Sequence, residues 1–492
     1  MSTTQQWRDH FDGLRAYEEA VALLYWDMRT YMPDQGAANR SASIGFLSTE
    51  SFRRRTGETY QQLLAAMEQE TLTGIEAISF AKAKEAFDRD SKIPEAEYQT
   101  FITLISEAES VWEKAKDAND WSMFEPYLEK IVAMERQFVE YWGYDAHPYD
   151  ALLHDYEPGM TVATLDPLFA ELRHAIIGLL GQLEGKDFPT LDWSADRETQ
   201  IALNQEWLRD IGYDFTSGRL DETVHPFQTT INRKDARITT KYDENDYRNS
   251  VFGTMHEAGH ATYEQGIEPE LDSLGLGDGA SMGIHESQSL FFENFIGRNQ
   301  GFLDARYHGL QQAIPSLADV PFERFYAAVN EVKPSLIRIE ADELTYALHI
   351  IIRYELEKRL MTKELEVKDL PQEWNRLYKE YLGVDVPSDA KGVLQDVHWS
   401  GGSFGYFPSY ALGLVYAAQL NEALRRDVDN VDGLIAAGTL APIKGWLKEN
   451  IHRHGKSKTP AELIEAATGQ SISVAPLVNY LTKKYTRVVE AL

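Results

Sequence analysis

Met255-His256-Glu257-Ala258-Gly259-His260-Ala261 is the stretch around which the rest of the chain is read. Its His-Glu-x-x-His spacing has chemical meaning on a helix. Positions i and i+4 lie one turn apart on a shared face, so two imidazoles can hold one metal ion. The Glu next to the first His then projects toward the remaining coordination position, where it can take a proton from water. Such spacing arises by chance in roughly one chain in thirty when a sequence carries this many His and Glu, so the surrounding sequence has to decide.

Outward from the motif, Arg237-Ile238-Thr239-Thr240-Lys241-Tyr242 is β-branched and alternating, and predicts a short strand. Asp243, Asn245 and Asp246 offer N-cap chemistry ahead of a helical run in which Val251, Met255, Ala258 and Thr262 recur at helical spacing. A strand feeding a His-Glu-x-x-His helix is the usual setting of a zincin site. Catalytic zinc takes three protein ligands, so a third is needed. Downstream, the glycine-rich stretch 275–283 feeds a second helical pattern, Ile284 to Asn294. It offers Glu286 and, in competition, His285. Glu293 shares a face with Glu286, so one of the two can ligate the metal while the other orients a ligand His. For His285 and Glu293, ordinary buried polar groups are an equally weighted reading.

The 492 residues are 43% hydrophobic, enough for a large core. No Cys is present, which removes disulfide and thiol chemistry and fits a cytoplasmic home. Residues 1–10 lack the basic and apolar regions of a signal peptide, and no apolar run reaches membrane-spanning length. A formal charge of -30 argues against nucleic acid as a partner.

Most of the chain reads as amphipathic helices: Trp7 to about Met28, stopping at Met32-Pro33, then Ala37–Arg54, Thr56–Thr71, Glu97–Ala115, Tyr127–Trp142 and Thr164–Glu184. A small sheet is expected between Thr223 and Tyr242. The expected fold class is mainly α: one large helical body, 1–492, of two lobes around a groove, with no boundary marked by composition. A further long helix is expected from Ser335 to about Leu360, with Arg338 pairing Asp342 at i+4 or presenting its fork to a substrate carboxylate. Gly392 to Gly413, rich in glycine and aromatics, predicts a binding loop. In it, His398 and Tyr410 each carry a donor able to stabilise an oxyanion, although each is more often a packing residue. The tail reads as helices broken at Pro442, Gly445, Gly455 and Pro460, with His452 and His454 on the surface.

These pieces together resemble the carboxypeptidase Taq family of metallocarboxypeptidases. The resemblance is carried, in order, by Trp26-Asp27-Met28-Arg29-Thr30-Tyr31-Met32-Pro33, His225-Pro226-Phe227, Asp235-Ala236-Arg237-Ile238-Thr239, the His256–His260 motif and His285-Glu286-Ser287-Gln288. It continues in Ile337-Arg338-Ile339-Glu340-Ala341-Asp342 and in Gly392-Val393-Leu394-Gln395-Asp396-Val397-His398-Trp399. It implies zinc, replaceable by cobalt, on His256, His260 and Glu286, with Glu257 as general base. It implies Arg338 as reader of the peptide's C-terminal carboxylate, and Tyr410 with His398 at the oxyanion. For His225, Asp235 and Arg237 it implies either the substrate groove or structural support near the metal. A homodimer is implied too. The rivals are an endo-acting oligopeptidase on the same site and a helical scaffold with an inactive metal site.

Overall fold

Ser2 accepts from the backbone N–H of Gln5 and starts a helix, Thr3–Thr30, that ends where Tyr31 precedes Met32-Pro33. The computed structural model describes residues 2–490 and 492. Among them, twenty α-helices and three short strands are found, so the chain is mainly α as its periodicity predicts. The early helices fall close to expectation: Ala37–Thr56, Glu58–Glu68, Glu95–Ala118, Trp121–Trp142 and Val162–Leu183. Asn119, with φ of 53°, closes the third of these, and Asp120 caps the next by accepting from Ser122 N. Among the described residues, no helix is long and apolar enough to cross a membrane.

The sheet is small. Strand β1 (Leu220–Glu222) runs parallel to β3 (Asp235–Thr240), and β2 (Gln228–Asn232) pairs antiparallel on β3's other edge. β1 lies just ahead of the window expected for the sheet. The central strand leads into the motif helix, Arg248–Gly266, and Thr240 Oγ1 donates to Ser250 O at 3.3 Å across the junction. The N-cap is Tyr247, with no side-chain cap, and not one of the three acidic or amide residues expected there; Asp246, one residue earlier, accepts from Arg248 N at 3.0 Å. Thirteen residues of this helix are buried, including Val251, Met255 and Ala258, so it lies inside the body and not on its surface.

Four local expectations are corrected. The segment Ser335–Leu360 is not one helix: a single 3₁₀ turn, Arg338–Glu340, is followed by extended backbone at Ala341 and a helix Tyr346–Met361. Asp342 explains the break, because its carboxylate accepts from Lys333 N, Leu344 N, Thr345 N and Thr345 Oγ1, offering the backbone better partners than a helix would. The second site helix, Met282–Leu290, gives way to a π-helical stretch, Phe291–Gly297. Gly445 is no break, since it sits inside the helix Ala441–Asn450 on an exposed face where glycine costs only about 1 kcal/mol. His452 is 1% exposed and His454 half-buried, because the turn His452–Ser457 tucks beneath the end of the motif helix. A Cβ on Gly266 would stand 2.6 Å from that of His452.

Candidate metal and peptide site

His256 and His260 lie one turn apart on the motif helix, and Glu286 reaches them from the second site helix. Glu286 Oε2 is 3.9 Å from His256 Nε2 and 3.7 Å from His260 Nε2, and one ligand atom of each of the three lies within 4.8 Å of the others. Two glycines allow the helices this close. A Cβ on Gly259 would meet Ser289 Cα at 2.6 Å, and one on Gly413 would meet Glu286 Cγ at 2.6 Å. Sequence reasoning left Glu286 and His285 as rivals. Neighbours on a helix point about 100° apart, so packing turns Glu286 to the imidazoles and His285 behind them.

The far ring nitrogens are held. His256 Nδ1 is 3.0 Å from Glu293 Oε2, as the shared face of Glu286 and Glu293 led us to expect. His260 Nδ1 is 2.6 Å from His285 Nδ1, whose Nε2 is 2.9 Å from Glu264 Oε1. Glu264 is in turn ion-paired to Arg233, which also holds Asp272. With each Nδ1–H donated outward, both Nε2 lone pairs face the Glu286 carboxylate. Three acceptors then oppose one another with no proton between them, which is a donor set that fits a cation. That arrangement is the one for neutral rings; without a cation the surrounding carboxylates draw a proton onto His256 in its place. Burial disfavours a charged His256 ring, yet Glu286, Glu293 and Glu257 outweigh it and lift its pKa to about 10. His260, by contrast, is pushed far down by burial and by its two imidazole neighbours.

Glu257 is 9% exposed beside this cluster. Burial raises its carboxyl to about 7, His256 pulls it down, and Glu286 and Glu293 push it up. A carboxyl poised there exchanges protons readily near neutrality.

A second group of residues is built around Arg338, itself 7% exposed. Its partner is Asp396 and not Asp342: Nε and Nη2 each stand 3.0 Å from Asp396 Oδ1. Arg353 Nε donates to the other oxygen of Asp396 at 2.7 Å. Two guanidiniums therefore share one carboxylate, which both hold well below the usual carboxylate range against the effect of burial. Arg338 Nη1 makes one long contact, 3.4 Å, to Tyr346 OH, and the guanidinium lies 5.0 Å over the Tyr410 ring. Its charge is felt at Glu286. Tyr410 is helical, in the first turn of Phe407–Asp427, and not in the loop that precedes it. His398 Nε2 is 3.2 Å from Tyr410 OH, and burial lowers the imidazole to about 4, so the ring is neutral.

Two expected residues lie apart from these groups. Arg237 spends its fork on Asp235, at 2.7 and 2.6 Å, and lies 4.3 Å over Trp26. His225 is exposed and lines a surface cavity of about 610 Å³ with Tyr25, Arg29 and Phe227. Sequence reasoning missed Arg233, Glu264 and the buried acids Glu157 and Glu357. Glu264 and Glu357 are single charges inside helices, Arg233 lies in the turn between two strands and Glu157 just past a helix end, and none of these settings carries a local signal.

The chain matches the sequence pattern of the carboxypeptidase Taq (M32) metallopeptidases over residues 6–485. It is 49% identical to carboxypeptidase 1 of Bacillus subtilis over 491 residues, 98% of either chain. It is 40% identical to thermostable carboxypeptidase 1 of Thermus thermophilus over 483 residues, 94% of either chain. The fold superimposes on the crystal structure of an M32 carboxypeptidase from Deinococcus radiodurans with a TM-score of 0.96, at 37% identity and with 100% of both chains covered. The protein thus belongs to the carboxypeptidase Taq (M32) family and is a metallocarboxypeptidase.

Proposed function

We propose that this chain is a zinc-dependent carboxypeptidase of broad specificity that removes single residues from peptide C-termini. The observation that carries the exo-acting reading is the surplus positive charge at Arg338. Arg338 and Arg353 share the single carboxylate of Asp396 in a buried setting, and an isolated buried charge requires an anion. A peptide's terminal carboxylate supplies that anion, and the Nη1/Nη2 side of Arg338 is where it docks.

His256, His260 and Glu286 hold the metal. Two imidazoles and a carboxylate are a usual catalytic zinc set, and cobalt satisfies the same donors. When bound, the ion acidifies the attacking water and polarises the scissile carbonyl. Glu257 takes the proton from that water and delivers it to the leaving amine. Neutral His398 donates its Nε2–H to the Tyr410 oxygen, which frees the Tyr410 hydroxyl to donate to the oxyanion. Arg338 fixes the distance between the carboxylate and the bond to be cut, which limits hydrolysis to the last residue. Arg237 supports Trp26 and the strand, and His225 with its cavity belongs to the outer groove. The helices form one unit, 1–492, in two lobes. The absence of cysteine supports a cytoplasmic location, and the family resemblance supports a homodimer.

The test is one peptide offered with a free and with an amidated C-terminus, with and without chelator. Stepwise loss of C-terminal residues from the free acid alone, stopped by chelation, is the expected result. Internal cleavage of both peptides would replace this reading with an endo-acting one.

A further inference from the structure

We infer that Glu157 is a positioning residue that sets where Glu286 stands, by clamping the start of the second site helix to the helix that carries Tyr410. Glu157 follows the helix Pro148–Tyr156 and is completely buried. Its Oε2 accepts from Gly283 N at 3.0 Å. Its Oε1 accepts from Ser281 Oγ at 2.9 Å and from Tyr416 OH at 2.9 Å. Ser281 is also the N-cap, accepting from Ile284 N at 3.0 Å. One carboxylate thus ties together the end of one helix, the first turn of Met282–Leu290, and Tyr416 of Phe407–Asp427.

The placement is specific. A Cβ on Gly283 would stand 2.6 Å from Glu157 Oε2, so only glycine lets the carboxylate reach that amide. Gly413, one turn before Tyr416, packs on Glu286 itself, and Gly259 packs on Ser289. Those two contacts fix how near the helix comes to its neighbours, but smooth glycine surfaces do not resist rotation or sliding along the axis. The Glu157 clamp does, three residues before Glu286. Three donors fill three of the roughly four acceptor sites of this fully buried carboxyl group, and an acceptor at the first turn suits the helix dipole.

The inference rests on Glu286 being a metal ligand, and the experiment separates the two. Zinc affinity is measured on the full-length protein by competition with a chromophoric chelator, for Glu157→Gln, Glu286→Ala and Tyr416→Phe. Amide exchange of residues 283–286 is followed by mass spectrometry, and kcat and KM on a free-acid peptide complete the set. Glu157→Gln keeps the volume but not the charge: with its carbonyl turned to Gly283 N–H, its NH₂ faces the Ser281 and Tyr416 hydroxyls, so the carboxylate that all three groups bond is lost. It is expected to weaken zinc about 10- to 100-fold, as loss of a ligand-orienting partner does. Exchange at 283–286 is expected to rise about tenfold or more, as local opening eases. kcat is expected to fall with KM little changed. Should Glu157→Gln fail to fold, Tyr416→Phe, which removes one donor only, is expected to show the same changes in smaller measure. Wild-type zinc affinity and exchange in the folded Glu157→Gln protein, with zinc lost in Glu286→Ala, would overturn the positioning role. Unchanged zinc binding in Glu286→Ala would instead overturn the ligand assignment, and the inference with it.

Discussion

Replacing Arg338 by Met tests the exo-acting reading most directly, and its size follows from the contacts. Arg338 gives Nε and Nη2 to Asp396 and keeps its Nη1 side with one long contact to Tyr346. A terminal carboxylate docked there gains two charge-assisted hydrogen bonds, worth about 3–4 kcal/mol together at a partly desolvated site. At about 1.4 kcal/mol per decade, this is roughly 10²–10³ in kcat/KM. The fold should tolerate the change, because Asp396 keeps Arg353 and the buried charges become balanced one to one. The assay compares an N-blocked peptide as free acid and as amide, on wild type and variant. Wild type should prefer the acid by about two to three decades, and Arg338→Met should lower acid turnover until the preference is near one. Arg338→Lys should restore about tenfold, since an ammonium supplies the charge without the planar fork. An Arg338→Met enzyme that still prefers the acid by the wild-type factor would refute the assignment of the carboxylate site.

Three further outcomes are expected. Glu257→Gln should cut kcat by about 10²–10⁴ while bound metal, measured by atomic absorption, stays at one per chain; retention of most activity would remove Glu257 as the base. Exhaustive chelation should abolish activity and lower the melting temperature, because ligand binding to the folded state alone stabilises it, and re-adding zinc or cobalt should reverse both; unchanged melting would place the ion elsewhere. Burial pushes Glu357 up to about 7 against the pull of Tyr149, Gly405 and Trp399. A raised carboxyl stabilises fully below the unfolded pKa near 4.5 and loses that contribution as pH rises through 7. Wild type should therefore lose up to about 3 kcal/mol at this position between pH 5 and pH 8. Glu357→Gln, neutral throughout, should show a shallower fall in denaturant midpoint, and identical pH slopes would contradict the shift.

Local periodicity made much of this protein legible. The helices 3–30, 37–56 and 162–183 follow from apolar spacing and from caps within a few residues, and these act before any tertiary contact forms. The pairing of His256 with His260 is equally local, since helical geometry alone puts positions i and i+4 on one face. The recurring order of short motifs along the chain supplied the family.

What periodicity does not reach is the rotation of one helix against another and the partner of a buried charge. Glu286 and His285 are neighbours in sequence, and only the packing of their helix against the elements around it puts the first toward the imidazoles and the second behind His260. Arg338 sits four residues from Asp342, the locally obvious partner, yet finds Asp396 at a distance of 58 residues. Asp342 meanwhile caps the turn that prevents the helix from starting early. His452 follows the apolar row Ile443, Leu447 and Ile451, but its own contact, burial against Gln288, lies 164 residues away. Most of the elements, and the chemistry they carry, were legible in the sequence, because those depend on neighbours a few residues away. Which carboxylate meets which cation was set by packing, because a buried charge is satisfied by whatever the packed chain brings within about 3 Å.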